Sequence, residues 1–160
     1  MDALSQVPLT MTTTKAGIAA GTTTTLTTAN TVLYCLKGKA YTKAAASNAA
    51  TPTTDATTAA AFVALSANQG TVVVVGYDSS GNLKASQGTV QALDTSGAFI
   101  LAPQFPIVPD TVCPFGYIVL KAGSTLSGTW TFGSSNLSSV TGMTYTFVDV
   151  MTLADRPQVS

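Results

Sequence analysis

Residues 70–90, GTVVVVGYDSSGNLKASQGTV, constrain the fold more than any other stretch of the chain. Residues 72–75 are four consecutive valines, stiff at χ1 and suited to a packed, pleated surface. The run is short and bounded by Gly70 and Gly76, which predicts a strand buried on both faces. Asp78-Ser79-Ser80-Gly81-Asn82 follows as a turn. Asp and Ser close tight turns through local side-chain hydrogen bonds, and Gly81 supplies the positive φ. Leu83 and Ala85 then alternate with Lys84 and Ser86 on the return, which completes a β-hairpin.

The same grammar recurs on both sides. Residues 90–93 and 98–101 flank the turn Asp94-Thr95-Ser96-Gly97 and predict a second hairpin. In 125–132, Leu126, Trp130 and Phe132 share one face and the threonines the other. In 143–147, Met143, Tyr145 and Phe147 alternate with threonines, and the pattern flips at 148–150, as at a β-bulge or a strand end. Residues 31–36 read as a strand covered on both sides, 40–43 as its exposed continuation, and 62–65 and 117–120 as short apolar strands. The alanine- and threonine-rich stretch 44–60 reads as a surface loop, although Asp55 could cap a short helix. Short strands with turns every 8–12 residues or so mark a sandwich or barrel. The expected fold is therefore all-β, an antiparallel β-sandwich or a jelly-roll-like barrel. Residues 16–160 form its single domain, and residues 1–15 are a candidate extended N-terminal arm.

Pro103, Pro106 and Pro109 interrupt the strand pattern. Proline fixes φ and removes a ladder donor, so 103–109 is expected to cross the body as an extended segment. Phe105, Ile107 and Val108 within it are candidate plugs for a core or a subunit seam. Leu4, Val7 and Leu9 are the apolar positions of the candidate arm.

Composition narrows the function classes. Only 9% of the 160 residues are charged, against roughly 25% in an ordinary soluble domain. The net charge is zero, the seven acids are all Asp, and there is no Glu and no His. Sequence-independent nucleic-acid binding needs clustered Lys and Arg. Lys37, Lys39 and Lys43 form the only such cluster and fit an edge strand protected from edge-to-edge pairing. No nucleic-acid partner is expected. The longest apolar run falls short of a membrane span, and 1–15 lacks the basic and apolar regions of a signal peptide. Without His, a Ser/His/Asp or Cys/His nucleophile is excluded in its ordinary form. Asp78, Asp94 and Asp110 lie in or beside turns, Cys35 and Cys113 lack metal-ligand spacing, and no phosphate-binding glycine loop is present. The residues predict a non-enzyme without cofactor or metal.

The block ANQGTVVVVGYDSSGNLKASQGTV, followed by FPIVPDTVCPFGYIVLKAGSTLSGTWTF, resembles small structural proteins of tailed-bacteriophage virions. The charge-poor, Thr/Ala/Gly-rich composition is similar to that of capsid decoration, or cement, proteins. The resemblance covers roughly residues 20–160. It implies a body that binds the major capsid protein on the outside of an assembled capsid and oligomerises with itself, often as a trimer, with an extended terminus reaching neighbours. It brings no catalytic residues, and it makes Phe105, Ile107, Val108, Leu4, Val7 and Leu9 the candidate capsid or subunit contacts. A tail or fibre component recognising a host glycan or receptor is the alternative, and would require Trp130 or Tyr117 to be exposed.

Overall fold

The computed structural model of the chain describes residues 9–153 and Pro157. The described residues form eleven strands and no helix: β1 Met11–Thr12, β2 Ile18–Ala20, β3 Thr25–Thr28, β4 Val32–Leu36, β5 Lys39–Lys43, β6 Ala46–Ala50, β7 Gln69–Asp78, β8 Leu83–Gln87, β9 Gln91–Ala92, β10 Val112–Ala122 and β11 Met143–Asp149. They build three antiparallel sheets. The main sheet runs β11-β10-β7-β8, with β9 also paired to β7, and the two smaller sheets run β1-β4-β5 and β2-β3-β6. The arrangement is a sandwich and not a closed barrel, which decides between the two expected architectures.

The valine strand is buried on both faces, as predicted. Val73, Val75 and Tyr77 of β7 join Ile118 and Leu120 of β10 in the larger core, where Leu26, Val32, Tyr34 and Leu36 meet them from the smaller sheets. Val72 and Val74 face the other way and cluster with Tyr117 and Val119. Each such side chain removed from water contributes about 1.5–3 kcal/mol, so a strand buried on both faces anchors two cores at once. Gly70 and Gly76 lie inside β7 and do not bound it. A Cβ at Gly70 would sit 2.8 Å from the Phe99 ring, and one at Gly76 would sit 2.5 Å from the Cys113 carbonyl oxygen. These glycines admit close neighbours rather than end the strand.

The β-bulge falls on β10 and not at 148–150. Pro114 pairs with Gly76 and Gly116 with Val75, leaving Phe115 as the extra residue. The bulge switches side-chain parity, so Phe115 and Ile118 both reach the larger core. Pairing of β11 with β10 is unbroken from Met143 to Asp149, where the strand ends. The apolar pattern changes there because Tyr145 and Phe147 pack on the larger core while Val148 and Val150 pack on the smaller one.

Several expected elements differ. β6 lies within the presumed loop 44–60, paired to β3. Residues 62–65 and 125–132 are irregular, joined by the Leu65–Trp130 bridge and an edge-on contact of the Phe62 and Phe132 rings, and Phe62, Leu65, Leu126, Trp130 and Phe132 are all buried. The second hairpin shrinks to a Leu93–Phe99 bridge around the Asp94 turn. In β4 only one face is covered: Leu33 is exposed and Cys35 half-buried. Residues 1–8 of the expected arm lie outside the described residues. The remainder of 1–15 is tied to the body, since β1 pairs with β4 and Thr12 N–H donates to the Met151 carbonyl at 3.0 Å.

Candidate interaction surface

The outer face of the main sheet is covered by chain that is itself not a sheet. Beyond the Leu93–Phe99 bridge, three prolines keep residues 101–109 out of the hydrogen-bonded ladder, and the segment 99–109 lies across Val72, Val74, Tyr117 and Val119 as a strap. Phe105 meets Tyr117 edge-on, with ring centroids 5.0 Å apart. Phe99 and Val108 pack on the same cluster. Gly88 lets the strap approach: a Cβ there would sit 3.1 Å from the Gln104 carbonyl oxygen. Thr57 Oγ1 donates to the Ile107 carbonyl at 2.6 Å, and Val112 N–H to the Pro109 carbonyl at 3.0 Å.

Between these anchors the strap turns bulky aliphatic side chains outward. Ile100, Leu101 and Ile107 are 63, 70 and 80% exposed. Single exposed apolar residues are ordinary, but three on one short, anchored segment make a candidate contact surface. Leu101 and Ile107 border an open cleft of about 690 Å³. Its other walls come from the Asp55–Thr58 turn and from residues 87–91. Val63 stands nearby and exposed, its backbone N–H and carbonyl both bonded to the Gln87 amide. The Gln91 side chain lines the cleft, and its Oε1 is buried without a hydrogen-bond partner.

The strap has no ionisable side chain of its own between residues 99 and 109, and the Lys121 ammonium lies over its Phe99 ring, 5.4 Å from the centroid. Asp55, the one acid in the cleft wall, is buried, and its carboxylate accepts N–H bonds from Thr57, Thr58 and Gln87 at 2.8, 3.0 and 2.6 Å. Between residues 85 and 109 the only ionisable side chain is Asp94. Its turn donates from the Ser96 hydroxyl and from the Ser96 and Ala98 N–H groups, and these bonds hold its carboxyl below the usual carboxylate range. At Asp78 burial pushes the pKa up. Bonds from Asn82 and Ser80, with Lys84 nearby, outweigh it and leave the carboxyl below its usual value. Asp110 pairs with Lys37 at 2.7 Å, and Asp149 accepts the Ile18 N–H at 3.2 Å. Cys35 and Cys113 are unbonded thiols, and burial pushes Cys113 up to about 11. Among the described residues no three metal-ligating side chains gather.

The expected contact residues divide. Phe105 and Val108 are plugs of the smaller core, whereas Ile107 is open to a partner. Leu9 is exposed beside the β4–β5 turn, its carbonyl accepting the Gly38 N–H. Leu4 and Val7 lie outside the described residues. Ile100 and Leu101 were expected in a hairpin strand. Their position just before a proline run, where no ladder can continue, is the signal that sets them on the surface. Trp130 and Tyr117 are 2 and 3% exposed, and the Trp130 indole N–H donates to the Asn136 carbonyl at 2.8 Å. Neither ring is available to stack on a sugar. No protein-family model, curated protein or solved structure matches the chain.

Proposed function

We propose that the chain is a structural protein of a phage virion that binds the outside of an assembled capsid and stabilises it as a decoration, or cement, protein. It acts as a homo-oligomer, a trimer on this reading, with the major capsid protein as its partner. The observation that carries the reading is the aliphatic rim of Ile100, Leu101 and Ile107, held on a charge-poor all-β body of zero net charge. Such a surface selects partners by shape and apolar contact rather than by charge. A protein that binds the assembled lattice and not the free subunit stabilises the lattice by mass action, and many weak symmetric contacts sum to a large avidity. The resemblance of the sequence to capsid decoration proteins points the same way. The glycan-binding alternative loses its two candidate aromatics to the core.

Quantitative mass spectrometry of purified particles tests the proposal. Copies in the hundreds per particle, in fixed ratio to the shell protein, are the expected result. A few to a few tens of copies would move the chain to the tail, and its absence from particles would overturn the virion reading.

A further inference from the structure

We infer that the aliphatic rim and its cleft are the face through which copies of this chain bind one another. The inference deepens the reading above and rests on its homo-oligomer, while its test is made on the isolated protein. Three observations carry it.

The first is charge. A contact between identical surfaces sets like residues near like, and is opposed wherever the patch carries net charge. Here the strap itself has no ionisable side chain between residues 99 and 109, the one acid in the cleft wall is buried among three backbone donors, and Lys121, which lies over the Phe99 ring, does not line the cleft. The Lys37, Lys39 and Lys43 cluster would repel its own copy, so it is a poor self-contact.

The second is complementarity within one face. Leu101 and Ile107 are at once the protruding rim and the border of the cleft, so the rim of one copy can enter the cleft of the next. Gln91 and Gln104 line the same cleft. Gln104 is exposed and its amide carries donors and an acceptor, so the Gln104 amides of two copies can bond one another.

The third is the state of the strand edges, where self-association by strand addition would otherwise begin. β5 carries Lys39 and Lys43. β6 holds Asn48 at φ 56° beside a register shift in its pairing with β3. The outer edge of β8 is engaged by the Asp55 turn, through Ala56 N–H to the Ala85 carbonyl and Gln87 N–H to the Asp55 carboxylate. These three edges are blunted against strand addition, which favours side-chain packing as a route to a closed oligomer.

The test is sedimentation velocity of the full chain and of three single variants: Ile107→Asp and Leu101→Ser on the rim, and Leu33→Ser on the exposed face of β4. All three sites are exposed, and far-UV circular dichroism confirms that each variant folds. The wild type should be an oligomer at about 100 μM, a concentration that fills any contact with a micromolar Kd. Each rim variant should weaken association by at least about tenfold, as expected for a central contact residue, and Leu33→Ser should not change it. A monomeric wild type, or rim variants that associate as the wild type does, would overturn the inference. So would rim variants that keep the oligomer but no longer bind capsids, since the rim would then face the shell protein. That last outcome would leave the virion reading standing.

Discussion

One carboxylate ties together the segments that wall the cleft. Asp55 accepts three backbone N–H groups, two from its own turn and one from Gln87 at the end of β8. The sequence shows half of this, because an Asp followed by small residues is helix-cap chemistry. The turn then closes after one round, with Ala59 N–H on the Asp55 carbonyl and Ala59 itself at φ 59°, and no helix follows. The bond to Gln87, 32 residues away, leaves no trace in local sequence. Replacing Asp55 with Ala strands three donors in a partly buried site. Hydrogen bonds to charged groups are individually worth about 1.5–3 kcal/mol, with some recovery from water, so Asp55→Ala should lose about 2–4 kcal/mol in urea unfolding. Asp55→Asn keeps an acceptor but turns an NH2 group toward one donor, and should fall between the two. Equal stability of all three proteins would show that the clamp contributes nothing. The aromatics were legible for a different reason: Trp130 and Phe132 occupy alternate positions among threonines, and alternation reports which side chains meet the core.

At the scale of elements, alternation is read from side chains while a ladder is made by backbone, and the two part company where glycine intervenes. Gly128 at φ 81° breaks 125–132 as a strand, although its apolar residues still reach the core. β6 has the opposite fault. Its ASNAA sequence has no large apolar residue to signal it, and it exists because β3 offers a free edge. The valine strand was legible because both signals agree there. Its glycines were misread, since close approach of a neighbour leaves the same mark as a strand end. That approach can be tested. A Cβ at Gly76 would meet the Cys113 carbonyl oxygen at 2.5 Å and Val112 Cγ1 at 2.6 Å, both on β10 beside the bulge. Overpacking of this kind costs about 1–3 kcal/mol, so Gly76→Ala should lower the denaturant midpoint accordingly. Gly123 is the control: its Cβ would lie 3.5 Å from the nearest atom and its φ is not positive, so Gly123→Ala should stay within about 0.5 kcal/mol of wild type. Similar midpoints for the two variants would mean that β7 and β10 can separate at the bulge without cost.

For the molecule as a whole, the scarcity of charge sets how it responds to salt. In the ion pairs Lys37–Asp110, at 2.7 Å, and Lys84–Asp78, at 3.8 Å, the lysine is well exposed. Lys39 and Lys43 lie over the Tyr41 and Tyr77 rings, as fits a solvated edge strand. Exposed pairs contribute about 0–1 kcal/mol each and are screened by salt, whereas apolar burial is strengthened by sulfate, which is excluded from protein surfaces. The melting temperature should therefore move little between low salt and about 1 M sodium chloride, where the Debye length falls to about 3 Å, and should rise in sodium sulfate. The same logic separates the two faces that could hold copies together. Association through the aliphatic rim should be unaffected by sodium chloride and tightened by sulfate, with sedimentation velocity as the readout. A contact built on Lys37, Lys39 and Lys43 against an acidic surface would instead loosen steeply as the chloride concentration rises. Loosening by tenfold or more would shift the interface from the strap over the main sheet to the edge of β5.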